Sequence, residues 1–345
     1  MDTQTLLARF APGETCGKSV HRGFRLVCNP LPHRRYKEAM YATAELHQRR
    51  RTYGKGGGLL VVGLSGAGKS TIMASYLDSF PREHTAERTR VPVLLVSVPS
   101  SPTARGLGDA ILVALGRKRA HRGSAAEKSD LIVDLFGKCG VEMLLLDEFH
   151  HLFFAPTLNH FRDVTDWLKR LLDATGVGMV GSGLPAAELV VDANEQLARR
   201  FSARVRITPF LLDDPEDFRE FRAILKTFEK QLPLPCETPL FEANQARRFH
   251  IASYGLLDYV VKTLEGAVSV AAAAGLEMIC LQSLAAGFRN AVWRDVPERL
   301  NPFHPESPLR PLDRTGEVFH LYTRHDAVGS PVARKLGMNL TRGGR

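Results

Sequence analysis

A chain of 345 residues, 44% hydrophobic and 24% charged, is long enough for one large core and a smaller domain. Lys and Arg number 46 against 37 Asp and Glu, and the resulting +9 charge suits a polyanionic partner or a solvated basic surface. The five cysteines, Cys16, Cys28, Cys139, Cys236 and Cys280, lack C-x-x-C spacing, which speaks against a disulfide framework or a cysteine-held zinc and for a reducing, cytoplasmic setting. The N-terminus carries Asp2 without a signal peptide's apolar core, and the weakly charged run 266–288 is broken by Glu277, so no membrane association is expected.

Residues 1–32 read as an extended arm, ending in Asn29-Pro30-Leu31-Pro32. Cys16-Gly17-Lys18-Ser19 ends like a phosphate loop, but Pro12 replaces the first glycine and no apolar strand precedes it. From His33 to Arg51, Ala39, Met40, Ala42 and Leu46 recur at near-helical spacing, with basic residues crowding both ends. The apolar run Leu59–Val62 then leads into Gly63-Leu64-Ser65-Gly66-Ala67-Gly68-Lys69-Ser70-Thr71, which satisfies G-x-x-x-x-G-K-[ST] between an expected strand and an expected helix. Such a loop wraps an anion in backbone N–H groups; Lys69 reaches the β- and γ-phosphates and the Ser70 hydroxyl is placed to ligate Mg²⁺.

Beyond the helix expected over 71–80, Val91–Val98 is a buried parallel strand, 99–105 a loop, and 106–115 a helix followed by the basic cluster Arg117-Lys118-Arg119. A short helix over 130–136, strand 141–148, helix 159–172, strand 177–182, a helix carrying 194–201 and strand 204–207 complete an alternation that predicts an α/β fold, an open parallel sheet between helix layers. Past Pro209 only helices are expected, over 214–231, 239–254, 255–274 and 281–293. The expected domains are therefore the arm 1–32, a nucleotide-binding domain 33–210, a helical lid 211–297, and an extended basic, Pro-rich tail 298–345.

Asp147 and Glu148 tip a strand at the sheet edge where ligands bind. Asp147 is placed to hold Mg²⁺ with Ser70, and Glu148 to polarise a water for attack on the γ-phosphate. His150 and His151 adjoin them without the H-x-x-x-H or H-E-x-x-H spacing of a metal-binding helix, so the metal is left with the nucleotide. Ser182, between Gly181 and Gly183, is either a phosphate sensor or a turn serine. Arg199 and Arg200 lie where an arginine could reach a neighbouring subunit's nucleotide, although paired arginines also cap helices and bind acids.

Taken together, the loop 63–70, the acids Asp147 and Glu148, Gly181-Ser182-Gly183-Leu184-Pro185, Asn194–Phe201 and the helical lid resemble an AAA+ P-loop ATPase, and within it the TniB/TnsC family of transposition regulators. The resemblance spans roughly 33–297. It implies ATP and Mg²⁺ as ligands, with Gly63, Ser65, Gly66, Ala67, Gly68, Lys69, Ser70, Thr71, Asp147 and Ser182 around the nucleotide. It further implies slow, assembly-dependent hydrolysis, a ring or helical filament on double-stranded DNA, and partners in a DDE transposase and a TniQ-type target-selection protein. DNA-backbone contacts would fall on Thr103, Arg105, Lys118 and Arg119, and Arg200, directly before Phe201, would be the arginine finger. One departure stands out: Gly255-Leu256-Leu257-Asp258 offers an aspartate where many AAA+ lids place an arginine. A P-loop small-molecule kinase and a replication initiator or helicase loader are the alternatives left open by the residues themselves.

Overall fold

In a computed structural model, residues 24–26, 31–86, 88–117, 123–320, 332 and 335 are described. They divide into an α/β unit, which takes the described residues of 31–211 with 254–258, 311–320, 332 and 335, and a helical unit, made of 24–26, 212–253 and 259–310. The expected arm thus lies mostly outside the described residues, as do Lys118 and Arg119.

The α/β unit is built on five parallel strands in the order β4-β5-β6-β1-β7. These are β1 (Gly57–Gly63), β4 (Val93–Ser97), β5 (Met143–Asp147), β6 (Gly178–Gly183) and β7 (Ala203–Ile207). A small antiparallel ladder of β2 (Glu83–His84) and β3 (Thr89–Arg90), which the sequence pattern did not announce, precedes β4.

Both sheet faces are covered, which explains why the inner strands are apolar rather than alternating, whereas edge strand β7 alternates, with Val205 and Ile207 buried and Arg204 and Arg206 exposed. Leu59 and Val61 of β1 join Val180, Leu145 and Val205 on the face packed by α1 (Arg34–Tyr53) and α2 (Lys69–Asp78). Leu60 and Val62 join Leu144, Leu146 and Met179 on the other face. That face is packed by α3 (Ala104–Ala114), α4 (Ala125–Cys139), α5 (Leu158–Thr175), α6 (Ala186–Asp192) and α7 (Glu195–Arg200).

Two helices differ from expectation for local reasons. The short helix expected over 130–136 begins at Ala125 and runs to Cys139, because Ser124 and Glu127 form a reciprocal capping box and Gly140 closes the other end at φ 62°. The single helix expected around 194–201 is two, broken where Asn194 leaves α6 and caps α7 through the N–H groups of Gln196 and Leu197.

Two phenyl rings fill space that glycine leaves. Phe201, fully buried after α7, lies over β1 so closely that a Cβ on Gly58 would be 2.5 Å from its ring. Phe149, after β5, meets Phe201 at 5.5 Å between centroids and lies 2.9 Å from where a Cβ on Gly181 would stand.

In the helical unit, α8 (Pro215–Glu229), α9 (Ala243–Ser253), the body of α10 (Leu257–Ala274) and α11 (Leu281–Ala291) enclose Phe221, Phe228, Phe249 and Phe288. An extended tail from residue 298 does not describe 298–320. Phe303 is buried against Phe249 in the helical unit, and Phe319, also buried, meets Tyr254 in the α/β unit. Aromatic anchors at these positions outweigh the Pro and Arg content that suggested open chain.

One polar network ties α1 to the sheet. His47 donates Nε2–H to Glu142 at 2.6 Å and accepts at Nδ1 from the Tyr76 hydroxyl at 2.9 Å, while Arg51 donates to the same carboxylate at 2.7 Å. Burial, helped by Arg51 and opposed by Glu142, holds the His47 pKa below its ordinary 6.5. Burial pushes Glu142 up, but the hydrogen bonds from Arg51 and His47 prevail and its pKa ends below 4.5.

Gly58→Ala should cost about 1–3 kcal/mol by overpacking Phe201, read as a lowered urea midpoint; an unchanged midpoint would contradict the packing described. The unfolded chain protonates His47 near 6.5 while the folded one resists, so stability should fall as pH drops from about 7.5 to about 5.5. His47→Gln keeps a donor for Glu142 and an acceptor for Tyr76, and should flatten that fall; denaturation curves of equal pH slope would count against it.

Candidate nucleotide-binding site

The phosphate loop follows β1, which lies between β6 and β7, so it emerges at the carboxyl edge of the sheet beside the ends of β5 and β6. Gly66 and Gly68 take φ values of 79° and 88°, which other residues adopt only with strain, and the space where a Gly68 Cβ would stand is open. Ser65, Gly68, Ser70 and Thr71 are exposed, whereas Ala67 packs partly onto the core beneath. Gly63 is tightly held: a Cβ there would meet the Ile207 carbonyl at 2.5 Å.

Helix α2 opens at Gly68 without a side-chain cap, in contrast to α3, α4 and α5, which Thr103, Ser124 and Thr157 cap. Its first-turn N–H groups and the positive end of its dipole therefore face the loop. Lys69, buried, donates Nζ–H to the carbonyls of Gly63 at 2.8 Å and Leu64 at 2.7 Å.

Across the loop, the Ser70 hydroxyl donates to Asp147 Oδ2 at 2.9 Å, and Asp147 Oδ1 accepts from the Glu148 N–H at 2.9 Å. The two residues expected to hold Mg²⁺ therefore meet, an oxygen-only donor set that suits a hard cation keeping several waters. Ser182, fully buried at the end of β6 in register with Val61, has a hydroxyl with no hydrogen-bond partner. An orphaned donor of this kind costs about 1–3 kcal/mol unless a ligand or water satisfies it. Open glycine cradle, uncapped helix start, adjoining oxygens and orphaned serine together fit a magnesium-bound nucleoside phosphate.

Glu148 sits in the left-handed region, φ 56° and ψ 35°, and starts a 3-10 helix over Phe149–Phe154. That turn carries its carboxylate to the histidines: Oε2 lies 3.4 Å from His150 Nδ1 and 3.9 Å from His151 Nε2. Burial drives the His150 pKa down to about 4, with His151 and Lys69 adding to the effect and Asp147 opposing it. Sequence spacing hid this grouping, because only the left-handed turn at Glu148 brings the three side chains together.

Asp258 also reaches the site. A Cβ on Gly66 would be 3.1 Å from Asp258 Cβ and 3.3 Å from its Oδ2, so this position faces the loop with a carboxylate. The finger candidates are engaged within the chain: Arg199 with Glu195 on the same helix and Arg200 with Asp173 of α5, each at 2.5 Å. Both pairs are substantially exposed.

Of the expected DNA contacts, Thr103 and Arg105 lie among the described residues. The Thr103 hydroxyl accepts from Gly106 N–H at 3.0 Å as the cap of α3, and Arg105 is exposed one residue into that helix. Both line a cavity of about 670 Å³ shared with α4 and α5, in which Trp167 and Arg170 take part.

Structural comparison finds solved structures that share this fold. It is 15% identical to Aeropyrum pernix ORC2 solved as ADPNP–ADP complexes, with TM-score 0.59 over 80% of this chain and 71% of that one. Aeropyrum pernix ORC1 in complex with DNA gives 18% identity and TM-score 0.57, over 76% of this chain and 66% of that one. Cdc6p from Pyrobaculum aerophilum gives 15% identity and TM-score 0.58, over 82% and 75%. At these identities the likeness shows the fold, that of the AAA+ ATPases. Among curated proteins none matches. The family described as Bacterial TniB protein matches residues 31–209, more than half of the sequence and the whole span of the phosphate loop and its acids, and the chain belongs to the TniB family.

Proposed function

We propose that this chain is a DNA-binding ATPase that regulates transposition. It assembles head-to-tail, as a ring or helical filament, on double-stranded target DNA and links a TniQ-type target-selection protein to a DDE transposase. Hydrolysis then releases the assembly. Ser70 and Asp147, 2.9 Å apart where the phosphate loop meets the acid-tipped β5, carry the assignment.

In this reading Lys69 and the amides of residues 65–71 hold the phosphates, and Lys69 exchanges the Gly63 and Leu64 carbonyls for phosphate oxygens. Ser70 and Asp147 hold Mg²⁺, which when bound neutralises charge on the phosphates. Ser182 satisfies its hydroxyl on the ligand or its water. Glu148 takes the proton of the attacking water on its carboxylate, and to do so it leaves the histidines it lies against.

Arg200 serves a neighbouring subunit's site, with Arg199 beside it. Its pair with Asp173 is 45% and 37% exposed, and such pairs are worth only about 0.2–1 kcal/mol, so exchanging Asp173 for a neighbour's phosphate costs little. DNA is held by its backbone through Arg105 and Thr103 and through Lys118 and Arg119. The +9 charge supports a polyanionic partner, and the nucleotide-bound ORC2 and DNA-bound ORC1 structures support the pairing of nucleotide with DNA on this fold. Among the described residues no helix is long and apolar enough to cross a membrane, in keeping with a cytoplasmic protein that joins the nucleoid when active.

Lys69→Ala should abolish ATP-dependent assembly on duplex DNA viewed by electron microscopy. Glu148→Gln should assemble as the unmodified chain does and fail to disassemble as ATP is consumed. Normal assembly and release by both variants would remove the nucleotide from the account.

A further inference from the structure

We propose that Glu148, His150 and His151 form a binding site for a divalent transition-metal ion of the zinc class, separate from the Mg²⁺ position at Ser70 and Asp147, and that its occupancy blocks hydrolysis. The metal site stands on its own geometry; the block rests on the reading of Glu148 given above.

Three ligand atoms converge within 4.8 Å of one another. Their hydrogen bonds decide which nitrogens carry protons. His151 Nδ1 lies 2.9 Å from the Val98 carbonyl, which can only accept, so Nδ1 is the donor and the neutral ring carries its lone pair on Nε2. That lone pair faces Glu148 Oε2 at 3.9 Å. His150 Nδ1 accepts a long bond, 3.4 Å, from the Leu184 N–H and lies 3.4 Å from the same carboxylate oxygen. A cation between the carboxylate and the two ring nitrogens would draw all three, taking the His150 lone pair in place of the Leu184 N–H.

The dimensions suit a small tetrahedral ion. At Zn–N and Zn–O distances of ~2.0–2.1 Å, tetrahedral ligands stand ~3.3 Å apart, so the ligand atoms, at 3.4 and 3.9 Å from the carboxylate oxygen and all within 4.8 Å of one another, must close by side-chain movement. Water would complete the four ligands, as at other His₂Glu sites. The supporting shell is in place as well. A backbone carbonyl orienting a ligand imidazole from behind is the usual device for raising its basicity and fixing its angle. Gly183 leaves room beside the other ring, since a Cβ there would be 3.0 Å from His150 Nδ1. Nitrogen donors favour zinc-class ions over Mg²⁺, so the two sites select different metals.

The test is a titration of the metal-free full chain with Co²⁺, whose four-coordinate complexes absorb in the visible, followed by displacement with Zn²⁺. One Co²⁺ per chain with tetrahedral absorption is expected, bleached by Zn²⁺, and weakened about 10–100-fold by His151→Ala, with His150→Ala and Glu148→Gln as companion variants checked for folding by circular dichroism. Zn²⁺ added to Mg²⁺-supported ATP turnover should inhibit the unmodified chain and do so about 10–100-fold less potently in His151→Ala. No absorption, or absorption indifferent to all three folded variants, overturns the site even if ATP is hydrolysed. Tetrahedral Co²⁺ binding that leaves measured ATP turnover untouched overturns the block. Binding in a chain that never hydrolyses ATP leaves the site standing and instead defeats the reading of Glu148.

Discussion

The contact between Phe149 and Phe201 is the constraint on which the site's geometry depends. Each ring follows directly on a residue with a proposed chemical role, Glu148 before one and Arg200 before the other, and each is accommodated only because a strand offers glycine beneath it. With the rings fixed at 5.5 Å, the backbone at Glu148 and the end of α7 are fixed relative to the sheet. Packing at this density leaves few alternatives: a methylene too many costs as much as a lost interaction. Hydrophobic burial therefore positions two polar groups that make few strong bonds of their own.

A second constraint is electrostatic. Around the phosphate loop the chain gathers Lys69, His150 and His151, two strand-tip acids and Asp258 in a small volume. Lys69 is satisfied by carbonyls, Ser70 by Asp147, and only Ser182 is orphaned. Glu148 is the exception among the acids, held at a left-handed turn that costs about 1–3 kcal/mol, and such outliers persist where the surroundings enforce them. Its carboxylate rests against imidazoles rather than over the loop, so the arrangement described is one in which water activation awaits a side-chain movement. An aspartate faces Gly66 where a cation would favour phosphate, in keeping with the slow, assembly-dependent turnover proposed for this site.

Much of this was legible in the residues. The loop 63–71, Asp147 and the alternation of strands and helices specify a parallel sheet with its ligand edge, because glycine spacing and buried β-branched runs are local signals. What escaped the sequence depended on geometry that no spacing encodes. The meeting of Glu148 with His150 and His151 needs one non-glycine residue at positive φ. The extension of α4 to Ala125 rests on a capping pair in polar surroundings, Ser124 and Glu127, where apolar periodicity is silent. Residues 298–320 looked open by composition, yet Phe303 and Phe319 are enough to anchor them, since a few buried aromatics outweigh many exposed polar residues.

The central claim is that a working site is shared between neighbours, with Glu148 in one subunit and Arg200 from the next. Mixing Glu148→Gln with Arg200→Ala chains tests it most directly, since each lacks a different half. In a head-to-tail assembly mixed at random in equal amounts, roughly a quarter of the interfaces would regain both halves. Steady-state ATP turnover on duplex DNA should then rise well above the average of the two variants alone. Turnover that stays at that average, with both variants assembling, would show that Arg200 does not act across the interface and would contradict the account.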